Sequence, residues 1–190
     1  MANVLQVSVF QRHLSTLKDT SFDSANNQYL SQSSYPAVDF DAVKDDVCTG
    51  FFNFRSNDAL LIPQNNGEKY VFVEFKNGCI TSQIECEKIR SKIAESVLLF
   101  HDILQVAISF DKSEVVYILD YNKSRNQNFE RQRSSSRSRI ARHVAHLARA
   151  SFLINGFDRY TKIFKQVYTI NEDEFKVLFS DKLDAGNYPF

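Results

Sequence analysis

Two runs of strand character, SNDALLI (56–62) and KYVFVEFKNG (69–78), flank Pro63-Gln64-Asn65-Asn66-Gly67, a segment with the composition of a hairpin turn. That arrangement predicts two adjacent antiparallel strands, with Asn77-Gly78 closing the second. It also fixes where charge can go. Asp58 opens the first run, and Glu74 and Lys76 sit two apart near the end of the second. On a strand, Glu74 and Lys76 share one face while Phe75 takes the other. Two carboxylates and an ammonium at one sheet edge suit a hard divalent cation and a phosphate. The bland alternative is that Glu74 and Lys76 are solvated residues on an edge strand.

The elements around these runs point to an α/β fold. Pro36 is placed to open a helix over 37–49, where Val38, Ala42, Val43 and Val47 keep helical spacing and Gly50 stands ready to end it. A long amphipathic helix is predicted over 84–105. Ile89, Ile93, Val97, Phe100 and Leu104 form its stripe, and Glu87, Arg90, Lys92 and Glu95 lie largely off it. EVVYILDY (114–121) reads as a buried strand. Residues 1–12 suggest a short strand, and 13–36, rich in Ser, Asn and Gln, a long loop or arm. Towards the C-terminus, 162–170 reads as a strand and 172–179 as a short acidic helix. At 190 residues, the chain is expected to form a single domain.

This order of helix, strand, strand with Glu-x-Lys, helix and strand resembles the core of the PD-(D/E)XK nuclease superfamily. The resemblance rests on Asp58, Glu74 and Lys76 and on residues 37–121, and KYVFVEFKNG followed by KIRSKIAESVLLFHDI resembles a bacterial and phage group with that kind of core. It implies a mixed central β-sheet flanked by helices, a restriction-endonuclease-like core (αβββαβ) with a C-terminal helical and strand extension over 137–190. It also implies a nuclease acting on DNA or RNA with Mg2+ or Mn2+. Asp58 and Glu74 would bind the metal and Lys76 would serve catalysis. A carboxylate from the first helix would complete the metal shell, and Asp41, Asp45 and Asp46 are the choices. The first motif departs from the family pattern, since Asn57 stands where proline is usual.

Charge adds a second lead. The formal net charge is zero, but residues 1–120 carry ten Lys/Arg against sixteen Asp/Glu, while 121–166 carry eleven Lys/Arg against Glu130 and Asp158. A positive field so concentrated is a candidate polyanion contact. Residues 122–136 have little to bury and read as a flexible basic loop. A helix over about 137–155 would set Arg139, Arg142, His146 and Arg149 on one side and Ile140, Val144 and Leu147 on the other. Arg137, Arg139, Arg142 and Arg149 are therefore the candidate nucleic-acid contacts. The alternative is a solvated helix face. His143 and His146 lack acidic or Cys partners at suitable spacing and are expected to face solvent or phosphate rather than zinc.

Other classes find no support. The chain has no Gly-rich phosphate loop, nucleophile elbow or dinucleotide fingerprint. No CxxC pair occurs among Cys48, Cys79 and Cys86, so three reduced thiols are expected. Nor does the N-terminus resemble a signal peptide, and no apolar run is long enough to span a membrane, so a cytoplasmic setting is expected. The competing functional reading is a non-catalytic nucleic-acid-binding or protein-interaction module on the same core, whose acidic and basic regions would pair between copies in a homo-oligomer.

Overall fold

The sheet is organised around β6 (Tyr70–Lys76), whose residues from Tyr70 to Phe75 are all buried. On one side β6 pairs antiparallel with β5 (Ala59–Leu61), as the turn composition predicts. On the other it pairs in parallel with β7 (Val115–Tyr121), reached through α4 (Gln83–Leu104) and the short α5 (Ser109–Glu114). The computed structural model describes residues 8–49, 54–107, 109–135 and 158–190. Six strands form one mixed sheet in the order β1 (Leu14–Thr16), β4 (Pro36–Asp39), β5, β6, β7 and β8 (Gln166–Asn171). Its first four strands are antiparallel and its last two pairings parallel. A separate hairpin joins β2 (Phe22–Asp23) to β3 (Gln28–Tyr29).

Strand alternation divides the core in two. Leu60, Tyr70, Phe72, Tyr117 and Leu119 pack with Ile89, Ile93 and Phe100 of α4. Their neighbours Leu61, Val71, Val73, Phe75 and Ile118 face the opposite way, towards Leu17 and the C-terminal Phe175 and Phe179. By the same alternation Asp58, Glu74 and Lys76 belong to the α4 face. The long helix, the Val115–Tyr121 strand and the acidic C-terminal helix α7 (Glu172–Phe175) all form where the sequence places them. A wider π turn, Lys176–Ser180, continues α7 into Asp181–Asp184.

Several local expectations are corrected. The helix expected over 37–49 is split. Pro36–Asp39 is strand β4, and α3 runs only over Phe40–Val47. Ala37 and Val38 are buried on opposite sheet faces, and Asp39 caps α3 by accepting from Ala42 N at 2.9 Å. In place of a strand, Ser8–Arg12 is a helical turn (α1) that buries Phe10 against Phe40; residues 1–7 and Gly50 lie outside the described residues. Instead of a loop, 13–36 holds β1, α2 (Leu17–Thr20) and the β2–β3 hairpin.

The basic loop expected over 122–136 is ordered across its described part, with α6 spanning Gln127–Ser135 after a single 3-10 turn, Ser124–Asn126. Its polar residues find partners that composition does not reveal. Asn126 accepts from Ile80 N at 2.9 Å and donates to Gly78 O and Asn122 O. Glu130 accepts from the Tyr121 hydroxyl and from Asn171 Nδ2, and Phe129 packs edge-on against Tyr121. The proposed helix over 137–155, with Arg137, Arg139, Arg142, His143, His146 and Arg149, lies outside the described residues. Among those described, no helix is long and apolar enough to cross a membrane, and all three cysteines are free.

Candidate functional site: a buried carboxylate pair bridged by Lys92

Register brings the acidic residues together. Ala59 pairs with Val73, so the next step along both strands sets Asp58 beside Glu74. The Asp58 carboxylate is anchored by the backbone of that partner strand: its Oδ2 accepts from Phe75 N at 2.6 Å. Glu74 is the one charged side chain in the otherwise apolar stretch Tyr70–Phe75, and it is fully buried.

The ammonium that meets both carboxylates comes from α4. Lys92 Nζ donates to Asp58 Oδ1 at 2.8 Å and to Glu74 Oε2 at 3.0 Å, and also lies 2.8 Å from Glu74 Oε1. Lys76 shares the face, as its spacing predicts, but its Nζ pairs with Glu85 Oε2 of α4 at 2.8 Å. Four residues beyond Lys92, Ser96 fixes the strand entry, with its Oγ accepting from Asn57 N at 2.7 Å. Glu95 does likewise for Arg55 N at 2.5 Å. Glu85, Lys92 and Ser96 recur at helical spacing, so one face of α4 covers the whole constellation.

Asp41 is the first-helix acid that reaches this region. It accepts a hydrogen bond from Ser56 Oγ, lines the same cleft as Asp58, and adds its charge to that felt by Asp58. Asp45 pairs with Lys44 and Asp46 with Arg12 and His13, both away from the cleft. The cleft has a volume of about 530 Å³ and is lined by Asp41, Asp58, Lys76 and Glu85 together with the β2–β3 hairpin. It opens beside the C-terminal end of β6, where loops of a partly parallel sheet commonly build sites.

Electrostatics set the cluster apart from a stabilising ion pair. Burial drives Glu74 up, Asp58 adds repulsion, and the attraction of Lys92 does not cancel them, so its pKa reaches about 8. Burial likewise raises Asp58 against the pull of Lys92. Burial opposes the charge on Lys92, but Glu74 and Asp58 outweigh it and hold its pKa well above the usual lysine value. Beneath the cluster the Tyr117 hydroxyl is pushed well up by burial, then by Glu74 and Asp58. Perturbed groups packed together beside a cleft are the pattern expected of a functional site.

The donor set matches a hard divalent metal in kind, since Asp58 and Glu74 offer only carboxylate oxygens. Its arrangement is not a ready cage. Lys92 stands between Asp58 and Glu74, and no group of three His, Cys, Asp or Glu among the described residues is drawn together closely enough to hold an ion.

Lys92 is the residue that sequence reasoning passed over. Its signal was weak but present: it lies three residues after Ile89 and four before the buried Ser96, at the margin of the apolar stripe. His101 hydrogen-bonds Asp111 Oδ1 through Nε2 at 2.8 Å, and neither residue lines the cleft. Compared with protein-family models, curated proteins and solved structures, the chain matches none.

Proposed function

We propose that this domain is a metal-dependent phosphodiesterase of the PD-(D/E)XK kind acting on DNA or RNA. The observation that carries the reading is the buried Asp58–Lys92–Glu74 cluster at the side of an open cleft. The antiparallel β4–β5–β6 arrangement followed by the parallel β6–α4–β7 unit supports a restriction-endonuclease-like core. Asp58 and Glu74, with Asp41, would hold Mg2+ or Mn2+. The metal would supply positive charge to the scissile phosphate and acidity to the attacking water. Lys92, kept cationic by its two carboxylates, is placed to offset charge developing on the phosphoryl oxygens. Lys76, paired with Glu85 at the cleft, would orient the phosphate from the solvent side. Arg137, Arg139, Arg142 and Arg149 remain the proposed backbone contacts.

The test is oligonucleotide cleavage with Mg2+ or Mn2+ by the parent, Asp58→Asn, Lys92→Met and Lys76→Ala. The reading expects metal-dependent cleavage by the parent. Asp58→Asn should abolish it, and Lys92→Met should lower it by about two orders of magnitude or more, the scale of losing one charge-stabilising group. A folded parent that cleaves neither DNA nor RNA overturns it. One observation favours a second reading, a non-catalytic nucleic-acid-binding or protein-interaction module: Lys92 already neutralises the carboxylates a metal would use. In that case Lys92→Met changes stability and leaves nucleic-acid affinity untouched.

A further inference from the structure

The β2–β3 hairpin carries two aromatic rings that the core does not use. Phe22 and Tyr29 are cross-strand partners with ring centroids 4.7 Å apart, and they remain 41% and 37% exposed. Phe22 lines the same cleft as Asp58 and Lys76. A cation sits over the second ring, with Lys18 Nζ lying 5.1 Å from the Tyr29 centroid. The hairpin is tethered where it meets the cleft. Asp23 Oδ2 accepts from Asn77 Nδ2 at 2.8 Å and from Asn26 Nδ2 at 2.7 Å, and Arg125 donates to Asn26 Oδ1 at 2.8 Å. Asn77 in turn is held by Asn122 Nδ2 at 2.7 Å. The rings are therefore fixed relative to the C-terminal ends of β6 and β7.

We propose that this hairpin is a stacking platform for an unpaired nucleobase, making single-stranded nucleic acid the substrate class of the cleft. The inference rests on the nucleic-acid reading above. An exposed aromatic face attracts any base because every base offers a π-face, whereas bases in a duplex are already stacked on their neighbours. Phosphates flanking the stacked base would meet Lys18 on one side and Lys76 or Arg125 on the other. Such cations beside aromatic rings are what a single strand needs and an apolar peptide does not. A purely structural cross-strand pair is the competing explanation, and the experiment separates the two.

The chain contains no tryptophan, so Phe22→Trp introduces a single indole at the platform, which is excited to the red of tyrosine absorption. The variant is titrated in EDTA with a short oligothymidylate and with a duplex of mixed sequence, so that no turnover enters the readout. Quenching by the single strand, with little or none by the duplex, is the expected result. Phe22→Ala/Tyr29→Ala should weaken single-strand binding about tenfold or more, measured by anisotropy of the labelled strand, while an unchanged melting temperature shows that the fold is intact. Equal response to both nucleic acids, no response to either, or undiminished single-strand affinity in the double alanine variant overturns the platform. Cleavage is scored separately in Mg2+. Quenching without cleavage keeps the platform and removes the phosphodiesterase reading; cleavage without quenching does the reverse.

Discussion

The two faces of the sheet each bury a carboxylate pushed well up from its ordinary pKa, and they treat it differently. On the α4 face Glu74 is joined by Asp58 and bridged by Lys92. On the opposite face Asp120 of β7 lies in register with Phe75 and Ile170, and no side chain among the described residues hydrogen-bonds its carboxylate. Burial raises the pKa of Asp120 most, with Glu172 adding repulsion. Burial alone makes a carboxyl costly to ionise. On the first face a cation of its own offsets part of that cost for Asp58 and Glu74, and a cleft lies beside them; the second face has no such cation among the described residues.

Removing the bridging cation should break the contrast most severely. Lys92→Met leaves two buried carboxylates uncompensated and is expected to cost about 3–5 kcal/mol in denaturant unfolding at neutral pH. A loss under roughly 1 kcal/mol would mean that the cluster is far more hydrated than its burial implies. Asp120→Asn should act in the opposite sense. The folded protein holds the Asp120 proton more tightly than the unfolded chain does. Its contribution to stability is therefore present below the unfolded value of 3.8 and lost as pH rises towards the raised folded value. Parent stability should fall across that range with a slope of up to about 1.4 kcal/mol per pH unit from this group, and Asp120→Asn should lack that component. By neutral pH the variant should be the more stable, by about 1–3 kcal/mol. Identical pH profiles would place Asp120 in contact with water.

The smallest effect is expected from Lys76→Ala. Its pair with Glu85 is about one-fifth exposed on each side, so the loss should stay below about 1 kcal/mol in thermal or denaturant melts. Comparing Lys76→Ala with Lys92→Met then sharpens the distinction between a rim cation and a buried one.

Sequence made the strands legible because β6 and β7 are unbroken apolar runs and the turn between β5 and β6 is signalled by Pro63 and Gly67. Parity alone put Glu74 and Lys76 on one face. What it did not reveal was the partner on the covering helix, because Lys92 meets Asp58 and Glu74 only through tertiary packing. Periodicity also misjudged segments whose order depends on distant polar contacts. Asn126 and Glu130 look like loop residues until Ile80, Tyr121 and Asn171 supply their hydrogen bonds. Val38 fits a helix by spacing, yet adjacent strands on both sides draw it into the sheet.

The most direct measurement is calorimetric titration of Mn2+ and Mg2+ into the parent protein and Asp58→Asn, each with an uncleavable single-stranded oligonucleotide present. The parent should bind metal, and the variant, still folded, should lose that binding. Equal binding by both proteins, or none by the parent, would contradict a metal site at Asp58 and Glu74 and leave the cluster without the chemistry assigned to it.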